Sequence, residues 1–115
     1  MKNREIKFRA WIKTAQSIAD WETIKSQCDR LSIFADENFI FMQYTGLKDK
    51  NGKEGYHKDI IDHPVYGKGV IEWHLNGWAI HFDGMYGDEG WIEFEIIEES
   101  KIIGDLYKDP ELLKE

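Results

Sequence analysis

Residues 39–44 are apolar almost throughout and lead straight into a polar, glycine-punctuated turn at Thr45-Gly46-Leu47-Lys48-Asp49-Lys50-Asn51-Gly52-Lys53-Glu54. Phe39, Phe41 and Gln43 alternate with Ile40, Met42 and Tyr44, so an extended chain here is apolar on both faces near its start and needs cover on both sides. Such a strand belongs inside a sheet. Asp49-Lys50-Asn51-Gly52 then supplies what a reversal requires: Asn and Gly tolerate positive φ, and an Asp carboxylate accepts hydrogen bonds from backbone amides just ahead of it. Tyr56, Ile60 and Ile61 resume the apolar pattern on the return.

Other stretches add elements to this frame. Ile6, Phe8 and Ala10 alternate with Lys7, Arg9 and Trp11, predicting a strand over residues 4–11 with its basic side chains facing outward. Ile18, Trp21, Ile24, Cys28 and Leu31 recur at spacings of three and four, the stripe of a helix starting near Ser17, with Ser17 and Asp20 as a capping box. The alternative over residues 17–31 is loop and strand. Cys28 lies on the buried stripe as core filler, since a catalytic thiol needs a partner that lowers its pKa and an open approach. Residues 69–75 and 78–83 flank Asn76-Gly77, the dipeptide of a two-residue type I′ hairpin. That turn pairs Leu75 with Trp78, Trp73 with Ile80 and Ile71 with Phe82 on one apolar face, and sets Glu72 opposite His81 on the other. Residues 91–96 alternate as a further strand, residues 101–107 form a last one, and Asp109-Pro110-Glu111 reads as a capped helical turn whose Leu112 and Leu113 pin it to the body. Between them, Met85-Tyr86-Gly87-Asp88-Glu89-Gly90 reads as a loop with an exposed aromatic.

Short strands joined by tight turns predict a mainly β, α+β fold: a small SH3-like, partly open barrel with an N-terminal strand and helix packed on it. Without repeats or a linker, residues 1–115 read as one domain.

Three patches, Arg4-Glu5-Ile6-Lys7-Phe8-Arg9-Ala10-Trp11, Gln43 to Glu54, and Ile103-Gly104-Asp105-Leu106-Tyr107 with Asp109-Pro110-Glu111-Leu112-Leu113, resemble the YopX-like family of small proteins encoded by bacteriophages and prophages. The family continues the central signature as Glu-Ile-Tyr-Glu-Gly-Asp-Ile-Val, whereas this chain has Glu54-Gly55-Tyr56-His57-Lys58-Asp59-Ile60-Ile61. The glycine before the aspartate is replaced by Lys58, which leaves Gly55 as the expected residue to take up the bend. The resemblance implies a phage or prophage origin and a β-rich fold, and brings no established activity.

Composition narrows the classes of function. The formal charge of −7 runs against the basic field with which nucleic-acid binding begins. The charge is nonetheless segregated, with Lys2, Arg4, Lys7, Arg9 and Lys13 near the start and an acidic stretch from Asp83 to Glu99. Five Trp, five Tyr and six Phe give large apolar area to a chain of 115 residues. One Cys makes no internal disulfide, no apolar run has membrane-spanning length, and the charged start has no signal-peptide core. The expectation is a cytoplasmic protein of a bacterial host cell with no membrane partner.

No phosphate loop, cysteine pair, nucleophile elbow or His-x-x-x-His helix is found, and no cofactor is indicated. The first functional reading is therefore a non-enzymatic accessory module that binds a host or phage protein through Tyr44, Lys48, Lys50, Lys53, Tyr56 and Tyr86. The alternative is a metal-dependent hydrolase using some of His57, Asp59, His74 and His81, with Asp62 and His63 nearby and Glu72 facing His81. Calcium is disfavoured, because an EF-hand frame on Asp49 to Gly52 would begin at Leu47 and end at Lys58. A nucleic-acid-binding or DNA-mimic role is a further alternative. An exposed sheet edge allows a homo-oligomer.

Overall fold

The computed structural model describes residues 6–27, 36–82 and 90–113. Nine strands form two antiparallel sheets among these residues. In the first, β1 (Phe8–Ile12) and β3 (Phe39–Lys48) lie at the centre, flanked by β2 (Ser17–Ala19) and β4 (Glu54–Tyr56). In the second, β5 (Asp59–His63), β6 (Gly67–His74), β7 (Gly77–His81) and β8 (Trp91–Glu93) follow as a meander, and β9 (Lys101–Asp105) returns to pair with β5. This second sheet curls into the SH3-like half-barrel, and the first sheet with helix α1 (Trp21–Gln27) packs on it.

The double-sided apolar pattern of β3 has its expected consequence. Phe39 and Phe41 join Ala10, Ala19 and Ile24 under α1, while Met42 and Tyr44 point to the opposite, buried side. The main core lies in the half-barrel, where Ile61, Ile71, Ile80, Phe82, Phe94, Ile97 and Ile102 converge.

β1 is covered on both faces, so its basic residues do not face outward. Phe8 and Ala10 look toward α1; Arg9 turns into the seam between the sheets, and Trp11 on the same side stacks on Tyr107. The helix also begins later than its apolar stripe suggests. Ser17 and Ile18 pair with Ile12 and Trp11 in β2, and Asp20 is itself the cap, its carboxylate accepting a 2.8 Å hydrogen bond from the Thr23 amide. Cys28 and Leu31 lie outside the described residues.

The β6–β7 hairpin forms in a shifted register. Trp73 pairs with Trp78 and Ile71 with Ile80, leaving Leu75 and Asn76 as the two loop residues, with Leu75 at φ +58°. The pairs move by two positions, so the apolar face keeps its members except Leu75. One cause lies at Gly69, where a Cβ would come within 2.8 Å of both Ile80 and the Phe82 ring. The core seats Phe82 over the vacant side of Gly69, and that packing overrides the turn preference of Asn76-Gly77.

Two further elements change period. After β8 the chain becomes a 3-10 helix (Phe94–Glu99) instead of continuing as strand, because Phe94 and Ile97, three apart, both enter the core. β9 ends at Asp105, whose carboxylate accepts the Tyr107 and Lys108 amides and turns the chain. The last helical turn is a 3-10 turn at Pro110–Leu113, but the Asp109 carboxylate receives the Asp105 amide instead of capping it.

Candidate functional site

The polar chemistry concentrates along the seam between the two sheets. Arg9 donates to Asp59 at 2.5 Å, with side-chain exposures of 13% and 1%, and its guanidinium lies 4.7 Å from the centroid of the Tyr56 ring. The second oxygen of Asp59 accepts the Tyr56 amide at 2.8 Å. Burial pushes the Asp59 carboxyl up to about 6 even though Arg9 pulls it down. One residue away, Lys58 and His57 both reach Glu72, at 2.7 and 3.0 Å. Burial holds the His57 imidazole below its ordinary value, with the Glu72 hydrogen bond opposing. Lys7, just ahead of β1, and Glu54 in β4 form a further ion pair.

The turn after β3 is braced by one carboxylate. Asp49 accepts the amides of Asn51 and Lys53 on one oxygen and that of Ile102 in β9 on the other, each at 2.9 Å. Burial alone would raise its pKa; the three amides from Ile102, Lys53 and Asn51 outweigh burial and hold it below the usual value. The Lys50 amide also donates to the Ser100 carbonyl at 3.0 Å. Lys48, Lys50 and Lys53 therefore stand exposed on a rigid turn docked against the half-barrel.

The other candidates are distributed differently. Tyr44 and Tyr56 are buried and packed against each other, ring centroids 5.5 Å apart, so they form part of the seam and not an aromatic rim to the lysine turn. Tyr86 lies outside the described residues. His57 and Asp59 are engaged by Glu72 and Arg9. His74 and His81 both pack on Trp91, at 3.9 and 4.6 Å, and His81 lies opposite Val70 while Glu72 lies opposite Ala79. His63 accepts the Val65 and Tyr66 amides on Nδ1 and faces Glu99 through Nε2, while Asp62 is exposed. Among the described residues, no three His, Cys, Asp or Glu side chains converge to hold a metal ion.

The family model of the YopX protein matches residues 11–114. The chain belongs to the YopX family. Among solved structures it is similar to the crystal structure of protein EF1440 from Enterococcus faecalis, with a TM-score of 0.67 and 22% identity over 97% of this chain and 100% of the other. At that identity the likeness is one of fold. No curated protein matches the chain.

In this YopX-family chain Lys58 occupies the place at which the family signature has glycine, and it adopts φ +75° itself. Contrary to the expectation from sequence, Gly55 does not take up the bend; its missing Cβ instead makes room for Ile97, whose Cδ1 would lie 2.5 Å from a Cβ there.

Among the described residues of this YopX-family chain, the most exposed aromatic side chain was not singled out by sequence reasoning. Trp73 is 53% exposed and Leu75 84%, at the end of the β6–β7 hairpin, with Trp78 edge-on to Trp73 at 5.0 Å. The lysine turn docks by Ser100 and Ile102 near Asp62, whereas this tip extends beyond Asp59 at the other end of β5. A signal was present: beyond Ile71 the alternation continues through Trp73 in β6 and Leu75 in the loop. Among the described residues no helix is long and apolar enough to cross a membrane.

Proposed function

We propose that this YopX-family chain is a phage- or prophage-encoded, cytoplasmic accessory module that binds a protein partner and catalyses no reaction. The observation that carries this reading is the β6–β7 tip. Two large apolar side chains stand in solvent there on a paired hairpin, backed by Trp78, whereas soluble proteins bury most such area. Trp is also the residue type most enriched among contacts that dominate protein–protein binding. The engaged state of His57 and Asp59, and the packing of His74 and His81 on one indole, favour a structural over a catalytic role for these groups.

The test is capture of a partner from source-cell lysate with nuclease-treated tagged protein, comparing the natural chain with Trp73→Ser combined with Leu75→Ser. The expected result is a discrete protein, retained by the natural chain and lost by the variant, with both melting alike. A partner held equally by both, or held only before nuclease treatment, refutes the proposal.

A further inference from the structure

The connection from β5 to β6 hangs on one ring nitrogen. His63 ends β5 and pairs with Gly67, which opens β6 at φ +82°, and Pro64, Val65 and Tyr66 lie between them. The amides of Val65 and Tyr66 both donate to His63 Nδ1, at 3.1 and 3.3 Å. Pro64 has no amide proton to give. The His63 side chain is only 6% exposed, its ring centroid lies 4.9 Å from that of Tyr66, and Tyr66 packs in turn on the core ring of Phe82 at 5.4 Å.

This arrangement fixes where the ring carries its proton. A nitrogen that accepts two N–H groups presents its lone pair, so the proton of the neutral ring sits on Nε2, which donates it to Glu99 Oε1 at 3.2 Å. A second proton can go only to Nδ1. An N–H there would point at two other N–H groups, and neither amide bond could survive it.

The surroundings keep that conflict local. Glu99 faces the ring from the 3-10 helix, is 66% exposed, and accepts from Nε2 in either protonation state. Tyr66 faces it from the turn itself. Asp62, Lys68 and Lys101, in register on β5, β6 and β9, stand exposed on the other face of the sheet, with Lys68 reaching to the Leu112 carbonyl. We infer that His63 is a proton-operated latch on the half-barrel: the neutral ring holds the β5–β6 connection shut and Tyr66 seated on Phe82, and proton uptake at Nδ1 releases the turn and uncovers that edge of the core.

The test follows the labelled full chain by NMR from about pH 8 to about pH 5, the range over which imidazole ordinarily titrates. Asp59, at the other end of β5, changes charge at about pH 6, so the readout is taken at the turn and not from a global melt. At the upper end the His63 ring should show a bare Nδ1 and a protonated Nε2. As Nδ1 gains its proton, the Val65 and Tyr66 amides should shift with the same midpoint, and their exchange protection, corrected for the intrinsic rate, should fall about threefold to tenfold. His63→Asn keeps an acceptor oxygen near the Nδ1 position and cannot titrate, so it should hold both amides at every pH. His63→Gln extends its carboxamide toward Glu99 instead and should leave both amides unprotected at every pH, with the β6–β7 ladder intact. The inference is overturned if His63 keeps a bare Nδ1 down to the pH at which the chain unfolds, if its ring titrates while the two amides stay as they were, or if either variant follows the natural chain through the titration.

Discussion

Replacing Asp49 by Asn changes one atom and should loosen the turn after β3 from β9. The carboxylate uses one oxygen for Asn51 and Lys53 and the other for Ile102. A carboxamide has one acceptor oxygen. Whichever way it is oriented, an NH2 group faces at least one of these backbone amides. A hydrogen bond to a charged acceptor contributes about 1.5–3 kcal/mol, and a buried amide left unpaired costs more than the lost bond, so about 3 kcal/mol is expected for Asp49→Asn. In a chain of this size that corresponds to a fall in Tm of about 10–15 °C. Urea titration at pH 7 should show a lower midpoint with unchanged slope, and hydrogen exchange should accelerate at Ile102 before other β9 amides. The pH dependence gives an internal check. Asp49 has a folded pKa below its unfolded value, so its contribution is present above about pH 4 and is lost as pH falls through the folded pKa. The difference between natural chain and variant should therefore close in acid. A difference under about 0.5 kcal/mol at pH 7, or one that persists unchanged at low pH, refutes the reasoning.

Other outcomes follow from the seam and the turns. Asp59 is raised to about 6, so what it adds to stability is greatest below its unfolded value near 4 and is lost as pH rises through about 6. Arg9→Met removes the counter-charge and should cost about 3–5 kcal/mol at pH 8, where Asp59 must ionise or take up a proton, and distinctly less at pH 5; equal costs in denaturant titrations at the two pH values would contradict this. Lys58→Gly should be more stable than Lys58→Ala by about 1 kcal/mol, since both lose the Glu72 pair and only glycine accepts φ +75° without strain; thermal melts that rank them the other way would deny the strain. Gly69→Ala should destabilise by about 1–3 kcal/mol through overpacking against Phe82, and a neutral effect would mean that another contact sets the hairpin register. Replacing Lys48, Lys50 and Lys53 with Ser should leave Tm within a degree or two, as expected for exposed side chains on a turn held by Asp49; a larger fall in a melt would show that the lysines support the turn.

Much of this fold was legible because local chemistry and packing agree. Phe39 to Gly52 announces a buried strand and its reversal, and the residues there behave as their types predict. The hairpin was legible as an element and misread in register, because Asn76-Gly77 speaks for the turn alone while Gly69 and Phe82, thirteen residues apart, decide how the strands meet. Arg9 was misread for the same reason at longer range. An arginine alternating with apolar residues looks like a wet face until Asp59, fifty positions on, is seen to hold it. The 3-10 helix at Phe94–Glu99 could have been read from the three-residue step between Phe94 and Ile97, had the alternation with Glu93 and Glu95 not matched a strand equally well.

Trp11 stacks on Tyr107, and Arg9 beside it is closed over by the half-barrel. During synthesis the strand bearing both leaves the ribosome before β5 to β9 have been made. Its inner side must wait, an aromatic ring and a guanidinium still in water, until β9 and the residues after it have emerged. That side closes only once Tyr107 has emerged, and a transcript cut short before it would yield a chain with that side still open to chaperone and protease.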